Sequence, residues 1–175
     1  MTATASENTQ ERVNDIVHSV PEEFNPKRTI CIPVDGSVSS KKAVDWAINH
    51  SICKETDQVV LLNVREVPHS SYTYPYLLAH ESLIQLDHKL RTASHELLQE
   101  TAKHFLSHQI HCRAVSLRGD PREELEFKIS HLKPDLVIVG SRGLGPVSKL
   151  LVGSVSNHLV HHLHCPVVVV PEHLS

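Results

Sequence analysis

Thr29-Ile30-Cys31-Ile32-Pro33-Val34-Asp35-Gly36-Ser37 is a short β-rich run that stops in a turn signal. A helix is expected directly after it, from about Ser39 to Ile52, with Ala43, Trp46, Ala47 and Ile48 on its buried side. Ser37 or Ser39 can cap that helix. The rest of the chain continues the alternation. Asp57 to Val64 is the next strand, and its apolar run suggests burial on both faces, as in a parallel sheet. A long amphipathic helix from about His80 to Ser107 places Leu83, Leu86, Leu90, Ala93, Leu97, Leu98, Ala102 and Phe105 on one stripe. A strand from Ile110 to Leu117 leads to Gly119-Asp120-Pro121, where Asp120 caps a helix, Pro121 takes its first position and Glu123 and Glu124 its first turn. That helix ends before Pro134, and Asp135 to Val139 forms a fourth strand that stops at Gly140. A last helix starts near Ser154, with Val155, Leu159 and Leu163 at i, i+4 and i+8, and Val167 to Val170 is the final strand.

This order predicts an α/β, doubly wound, five-stranded parallel sheet with helices on both faces. Ligands of such sheets sit beyond the carboxyl ends of the strands. The search for function therefore belongs at Asp35-Gly36-Ser37, after Val64, at Gly119-Asp120 and from Gly140 onward. Residues 1–25 are polar and without period, and are expected to be a mobile tail with room for one short helical piece. Residues 26–175 are expected to be one domain. The loop 65–79, with Tyr72, Tyr74 and Tyr76, is long enough to be functional or mobile.

Composition narrows the class. Apolar residues are 40% and charged residues 21% of the 175, a globular balance, and no run approaches the ~20 apolar residues of a membrane span. Residues 1–15 place no basic segment before an apolar one, so the expected compartment is the cytoplasm. A formal charge of −3 argues against broad nucleic-acid binding. Cys31, Cys53, Cys112 and Cys165 make no C-x-x-C pair and read as small buried thiols of a reducing compartment. Histidine is abundant, at 15 residues, and His158 and His162 have the i, i+4 spacing of helical metal ligands. No acidic residue or cysteine joins them in a known ligand pattern, so no metal site is expected there.

The glycines follow the fourth strand: Gly140-Ser141-Arg142-Gly143-Leu144-Gly145, then Gly153-Ser154-Val155-Ser156. The spacing is neither a P-loop nor the dinucleotide G-x-G-x-x-G. Glycines here let backbone N–H groups approach an anion, and a helix opening at Gly153-Ser154 aims its unpaired N–H groups at the same place. Arg142 and Lys149 add positive charge. A plain βα loop that turns on its glycines and caps with Ser154 fits the spacing equally well.

Gly140-x2-Gly143-x9-Gly153-Ser154 resembles the G-x2-G-x9-G-[ST] motif of ATP-binding universal stress proteins. Val34-Asp35-Gly36-Ser37, Leu62-Asn63-Val64, Gly119-Asp120-Pro121 and His164-Cys165-Pro166 with the valines after it resemble further signatures of that family, over about residues 27–172. The resemblance implies a Rossmann-like fold, with strand order 3-2-1-4-5 along the expected numbering. It implies that Pro33 and Val34 line an adenine pocket, that Asp35 reaches the ribose and phosphates, and that the Val64 backbone meets the adenine edge. Gly140, Ser141, Arg142, Gly143, Gly153, Ser154, Val155 and Ser156 would wrap the ribose and triphosphate, with Mg²⁺ on the phosphates. The nine-residue insert 144–152 contains Pro146, which puts the role of Lys149 in doubt. The family's homodimer would pair Val167 to Val170 with its twin; the alternative is cover by the protein's own tail.

No catalytic base or second-substrate motif is evident, so the expectation is a nucleotide-dependent regulatory or switch module in a stress response. Hydrolysis would be slow at most, with Asp35 polarising water and Arg142 or Mg²⁺ stabilising charge. A slow ATPase, an interaction-only homodimer without nucleotide and a His-rich metal chaperone are the alternatives.

Overall fold

Continuous apolar strands need cover on both faces, and the chain builds its helices on both sides of one sheet. The computed structural model describes residues 14–16, 24–66, 78–142 and 152–172, with side chains described over 24–66, 84–142 and 152–172. The strands are β1 (Asn14–Ile16), β2 (Arg28–Pro33), β3 (Asp57–Arg65), β4 (His111–Arg118), β5 (Leu136–Gly140) and β6 (Val167–Val170). The helices are α1 (Val38–His50), α2 (Leu78–Ser107), α3 (Pro121–Leu132) and α4 (Ser154–His162). The sheet runs β1-β4-β3-β2-β5-β6. Strands β2 to β6 are mutually parallel, in the expected order 3-2-1-4-5 of their own numbering.

The sixth strand is a departure. Asn14–Ile16 lies antiparallel on β4, with Asp15 opposite Val115, where a mobile tail was expected. Three residues are too few to show a period of two, so nothing in the sequence distinguished this strand from irregular chain.

Alternation along each strand divides the core. Ile30, Ile32, Val59, Leu61 and Ala114 pack under α1 and α2, while Cys31, Val60, Leu62, Val115 and Val137 pack under α3 and α4. Burial pushes the Cys31 thiol up to about 12 and the Cys112 thiol up to about 11, so both stay protonated and inert; Cys165 is half-buried, and Cys53, expected to be buried with them, is exposed between α1 and β3. At the amino edge Arg28 forks onto the buried Asp57 carboxylate, at 2.5 Å from Nη2 and 3.2 Å from Nε.

The caps are those the residues favour. Ser37 Oγ accepts from the Ser40 N–H at 3.1 Å to start α1, and Asp120 accepts from the Arg122 and Glu123 N–H groups to start α3. The buried face of α1 is Ser39, Ser40, Ala43, Val44 and Ala47, so Val44 is inside and Trp46 and Ile48 are only half-buried. On α2, Leu98 and Phe105 are buried, but Leu86 and Ala93 are exposed and Leu90 is half-buried; Leu83 lies outside the described side chains. The expected stripe fails there for a geometric reason. Part of this helix stands over the carboxyl edge of the sheet, where Leu90 and Ala93 face a cleft rather than the core, and Leu97 lies at the boundary, lining the cleft and packing on the core. No helix among the described residues is long and apolar enough to cross a membrane.

Candidate functional site

The carboxyl ends of β2, β3 and β5 border a cleft of ≈ 620 Å³. Its floor comes from Pro33, Val34 and Asp35 after β2, and from Leu62, Asn63 and Val64 in β3. Gly140 and Arg142 after β5, and Gly153 to Ser156 at the start of α4, form the side toward the glycine loop. Thus ten of the residues singled out by sequence line one space: Pro33, Val34, Asp35, Val64, Gly140, Arg142, Gly153, Ser154, Val155 and Ser156. Gly143 lies outside the described residues, as do Lys149 and the three tyrosines of the 65–79 loop.

Ser141 is the exception. It points to α1, with its Oγ 3.3 Å from Ser39 Oγ, and its backbone joins two elements: the N–H donates to the Val170 carbonyl at 2.8 Å and the carbonyl accepts from the Gly153 N–H at 2.7 Å. Arg142 is held at the same seam. Its N–H donates to Ser39 Oγ at 3.1 Å, and its carbonyl accepts from Ser37 Oγ at 3.3 Å. The serines before and within the first turn of α1 therefore position the start of the glycine loop.

Gly140 has a structural reason of its own. A Cβ there would stand 2.7 Å from the Ser39 carbonyl, so the residue lets α1 lie directly against β5. Close backbone approach was expected at this glycine, but toward an anion; the observed neighbour is a helix. Gly36 takes φ +80°, the left-handed turn that carries the chain from β2 into α1.

The polar groups of the cleft divide into occupied and available. Asp35 Oδ1 accepts from the Ser37 N–H at 3.0 Å, closing the turn. Asn63 Nδ2 donates to the Val34 carbonyl at 2.7 Å, which ties the ends of β2 and β3 together beneath the cleft. Ser156 Oγ donates to the Gly153 carbonyl at 3.1 Å and is internal. The Arg142 guanidinium faces Glu172 at 3.5 Å, and Lys42 Nζ donates to the Glu172 carbonyl. At the start of α4 the N-cap is Gly153, which has no side chain, so the cap residue places no side-chain oxygen on the first N–H groups of that helix. Ser154 is exposed there and lines the cleft. The arrangement can therefore receive an anion on backbone donors, beside an apolar floor.

Two cleft residues, Asn63 and Arg65, had no role assigned from sequence. Asn63 is a buried polar residue inside an apolar strand, a signal that a strand end is being tied rather than packed. Arg65 ends β3 with only 7% of its side chain exposed, and donates to Asp87 at 3.1 Å while its Nε has no partner among the described residues. Near it, burial and then the charges of Arg91 and Arg65 lower His95 from its ordinary value. A second hollow of ≈ 760 Å³ lies between α1 and α2 and carries charges of both signs, Asp45, Glu96 and Glu100 beside Lys41, Lys103 and His104.

Comparison with known proteins places this geometry. The sequence signature of the universal stress protein family matches residues 27–171. A universal stress protein of Methanocaldococcus jannaschii is 31% identical over 149 residues, covering 85% of this chain and 84% of its own length. A protein solved as a structural-genomics test case for assigning biochemical function superposes with a TM-score of 0.72 at 22% identity, over 85% of this chain and 98% of its own. A universal stress protein family protein of Arabidopsis thaliana, solved with AMP bound, superposes with a TM-score of 0.62 at 24% identity, over 82% of this chain and 91% of its own.

Proposed function

The chain belongs to the universal stress protein family, and on that premise we propose that its cleft binds an adenine nucleotide, ATP with Mg²⁺, and that the chain works as a nucleotide-dependent regulatory module. The observation that carries the reading is the start of α4. Its first N–H groups lack a side-chain cap and open into a cleft whose opposite end is apolar. A helix start in this condition favours phosphate through both its free donors and its dipole. Val34 and Val64 offer the flat apolar surface and backbone edge that a purine needs. The AMP bound to the Arabidopsis relative supports the same ligand class. Asp35 is a hard oxygen donor within the cleft, which fits a Mg²⁺ carried mainly by phosphates.

Turnover is a minor part of this reading. Phosphoryl transfer needs a positioned nucleophile and a group to orient it. Among the described residues lining the cleft there is no histidine, lysine or cysteine, and of its two carboxylates, Asp35 and Glu66, Asp35 already closes a turn with one oxygen. Hydrolysis, if measured, is expected to be slow. The proposal also includes a homodimer through β6 and a cytoplasmic setting.

Ser154→Asp tests it. An aspartate in the first turn favours the helix by about 0.3–1 kcal/mol, so the variant folds at least as well as the parent. The same charge repels phosphate. Isothermal titration is expected to show saturable Mg-ATP binding to the parent and at least about tenfold weaker binding to the variant, a loss of 1.4 kcal/mol or more. Equal affinity in both would remove the phosphates from the start of α4 and defeat the reading.

A further inference from the structure

His158 and His162 stand one helical turn apart toward the C-terminal end of α4, and neither lines the cleft. Their spacing in the chain names no third ligand, but the fold supplies one. Helix α3 packs beside α4 and brings Glu126 Oε2 to 2.6 Å from His158 Nε2. One ligand atom from each of Glu126, His158 and His162 lies within 4.8 Å of the other two, the one such group among the described residues. We propose that these three side chains form a binding site for a divalent transition-metal ion, Zn²⁺ foremost, with water as the fourth ligand.

The donor set is the first reason. Two imidazoles and a carboxylate are the ligands that Zn²⁺ takes when one position is left to water. Hard cations such as Mg²⁺ prefer all-oxygen shells and are disfavoured here. The tautomer of His162 is the second reason. Its Nδ1 lies 2.8 Å from the His158 carbonyl oxygen, and a carbonyl can only accept, so Nδ1 carries the proton. The lone pair is then left on Nε2, in the arrangement by which outer partners orient histidine ligands. The position is the third reason. His162 is the last residue of α4, where the helix dipole is negative and favours a cation.

The fit requires small movements. Bonds of about 2.0–2.2 Å in a tetrahedron put ligand atoms about 3.3–3.5 Å apart. The Glu126–His158 contact at 2.6 Å must therefore open slightly as the metal takes the place of the shared proton. The His158 and His162 rings, stacked at 4.0 Å with 17° between planes, must turn to converge. Glu126 is 38% and His158 22% exposed at the side chain, and His162 is exposed, so all three have room to rotate. A bound ion would clamp α3 to α4. Pro121 and Leu125 of α3 and Ser154 and Val155 of α4 form part of the cleft wall, so the clamp would stiffen that wall from outside.

Titration of Zn²⁺ into the metal-free full chain against a chromophoric chelator tests this independently of any nucleotide. One site per chain is expected, tighter than about 1 μM. Glu126→Gln and His162→Ala are expected to weaken it by at least about a hundredfold, with metal-free melting temperatures matching the parent. His161→Ala and His164→Ala, changed in the same His-rich segment, are expected to leave it as it was. Co²⁺ in place of Zn²⁺ should give the intense visible bands of a tetrahedral ion. Parent affinity weaker than about 10 μM, equal losses in the His161 and His164 variants, or a pale octahedral Co²⁺ spectrum would each overturn the site and reduce the cluster to a hydrogen-bonded surface pair.

Discussion

At Gly140 a methyl group would meet the backbone of Ser39 at 2.7 Å and of Ser40 at 2.9 Å, where no flexible side chain can yield. Gly140→Ala must shift α1 away from β5, and is expected to cost about 1–3 kcal/mol in urea unfolding. A variant as stable as the parent would show that the seam is looser than the geometry indicates. That this residue is glycine was plain in the sequence, but spacing alone cannot tell room made for a ligand from room made for a helix. Asp57 is a second case where partners decide. Burial opposes its charge, yet the Arg28 guanidinium, the Cys53 N–H and the Thr56 hydroxyl together bring its carboxyl below the ordinary value. The folded chain therefore holds its proton less tightly than the unfolded one. The stabilisation is complete above the unfolded value of about 3.9 and is lost as pH falls through the lower folded value. Asp57→Asn is expected to remove that part of the acid dependence and to cost about 2–3 kcal/mol at neutral pH. An unchanged acid-unfolding curve would count against it.

At the scale of elements, β6 carries the proposal of a dimer. The Val137 N–H donates to the Pro166 carbonyl and the Ser141 N–H to the Val170 carbonyl. In a parallel ladder alternate residues face the same neighbour, so Val168 also faces β5, and the backbone groups of Val167 and Val169 face the outer edge. Val169→Pro removes an outward N–H while sparing the β5 ladder. If β6 pairs with its twin, light scattering should give twice 19.6 kDa for the parent and about half of that mass for a folded variant. A parent that is already monomeric would contradict the dimer. The edge character of this strand was legible from its place in the β-α alternation. The cover of the opposite edge by Asn14–Ile16 was not, because a three-residue strand is specified by its partner β4 rather than by its own pattern. The first part of α2 misled for a related reason: Leu86 and Ala93 keep the helical period, but a period does not say where the sheet beneath ends.

At the scale of the whole molecule, the parallel sheet and its carboxyl-edge cleft followed from the alternation of strand and helix, and the residues at the four strand exits were legible because topology confines ligands there. Contacts between distant elements were not legible. Arg65 with Asp87, Asn63 with Val34 and Glu126 with His158 join residues far apart in the chain, and one sequence holds no record of such meetings. The central claim is that an adenine nucleotide lies across the cleft from Val64 to the start of α4. Backbone amide shifts on addition of Mg-ATP to the ¹⁵N-labelled chain test it most directly. The predicted result is a set of saturable shifts at Asp35, Val64, Ser154, Val155 and Ser156, with the hollow between α1 and α2 unmoved. Shifts gathered instead at Lys41, Glu96 and Glu100, or none at saturating nucleotide, would contradict it.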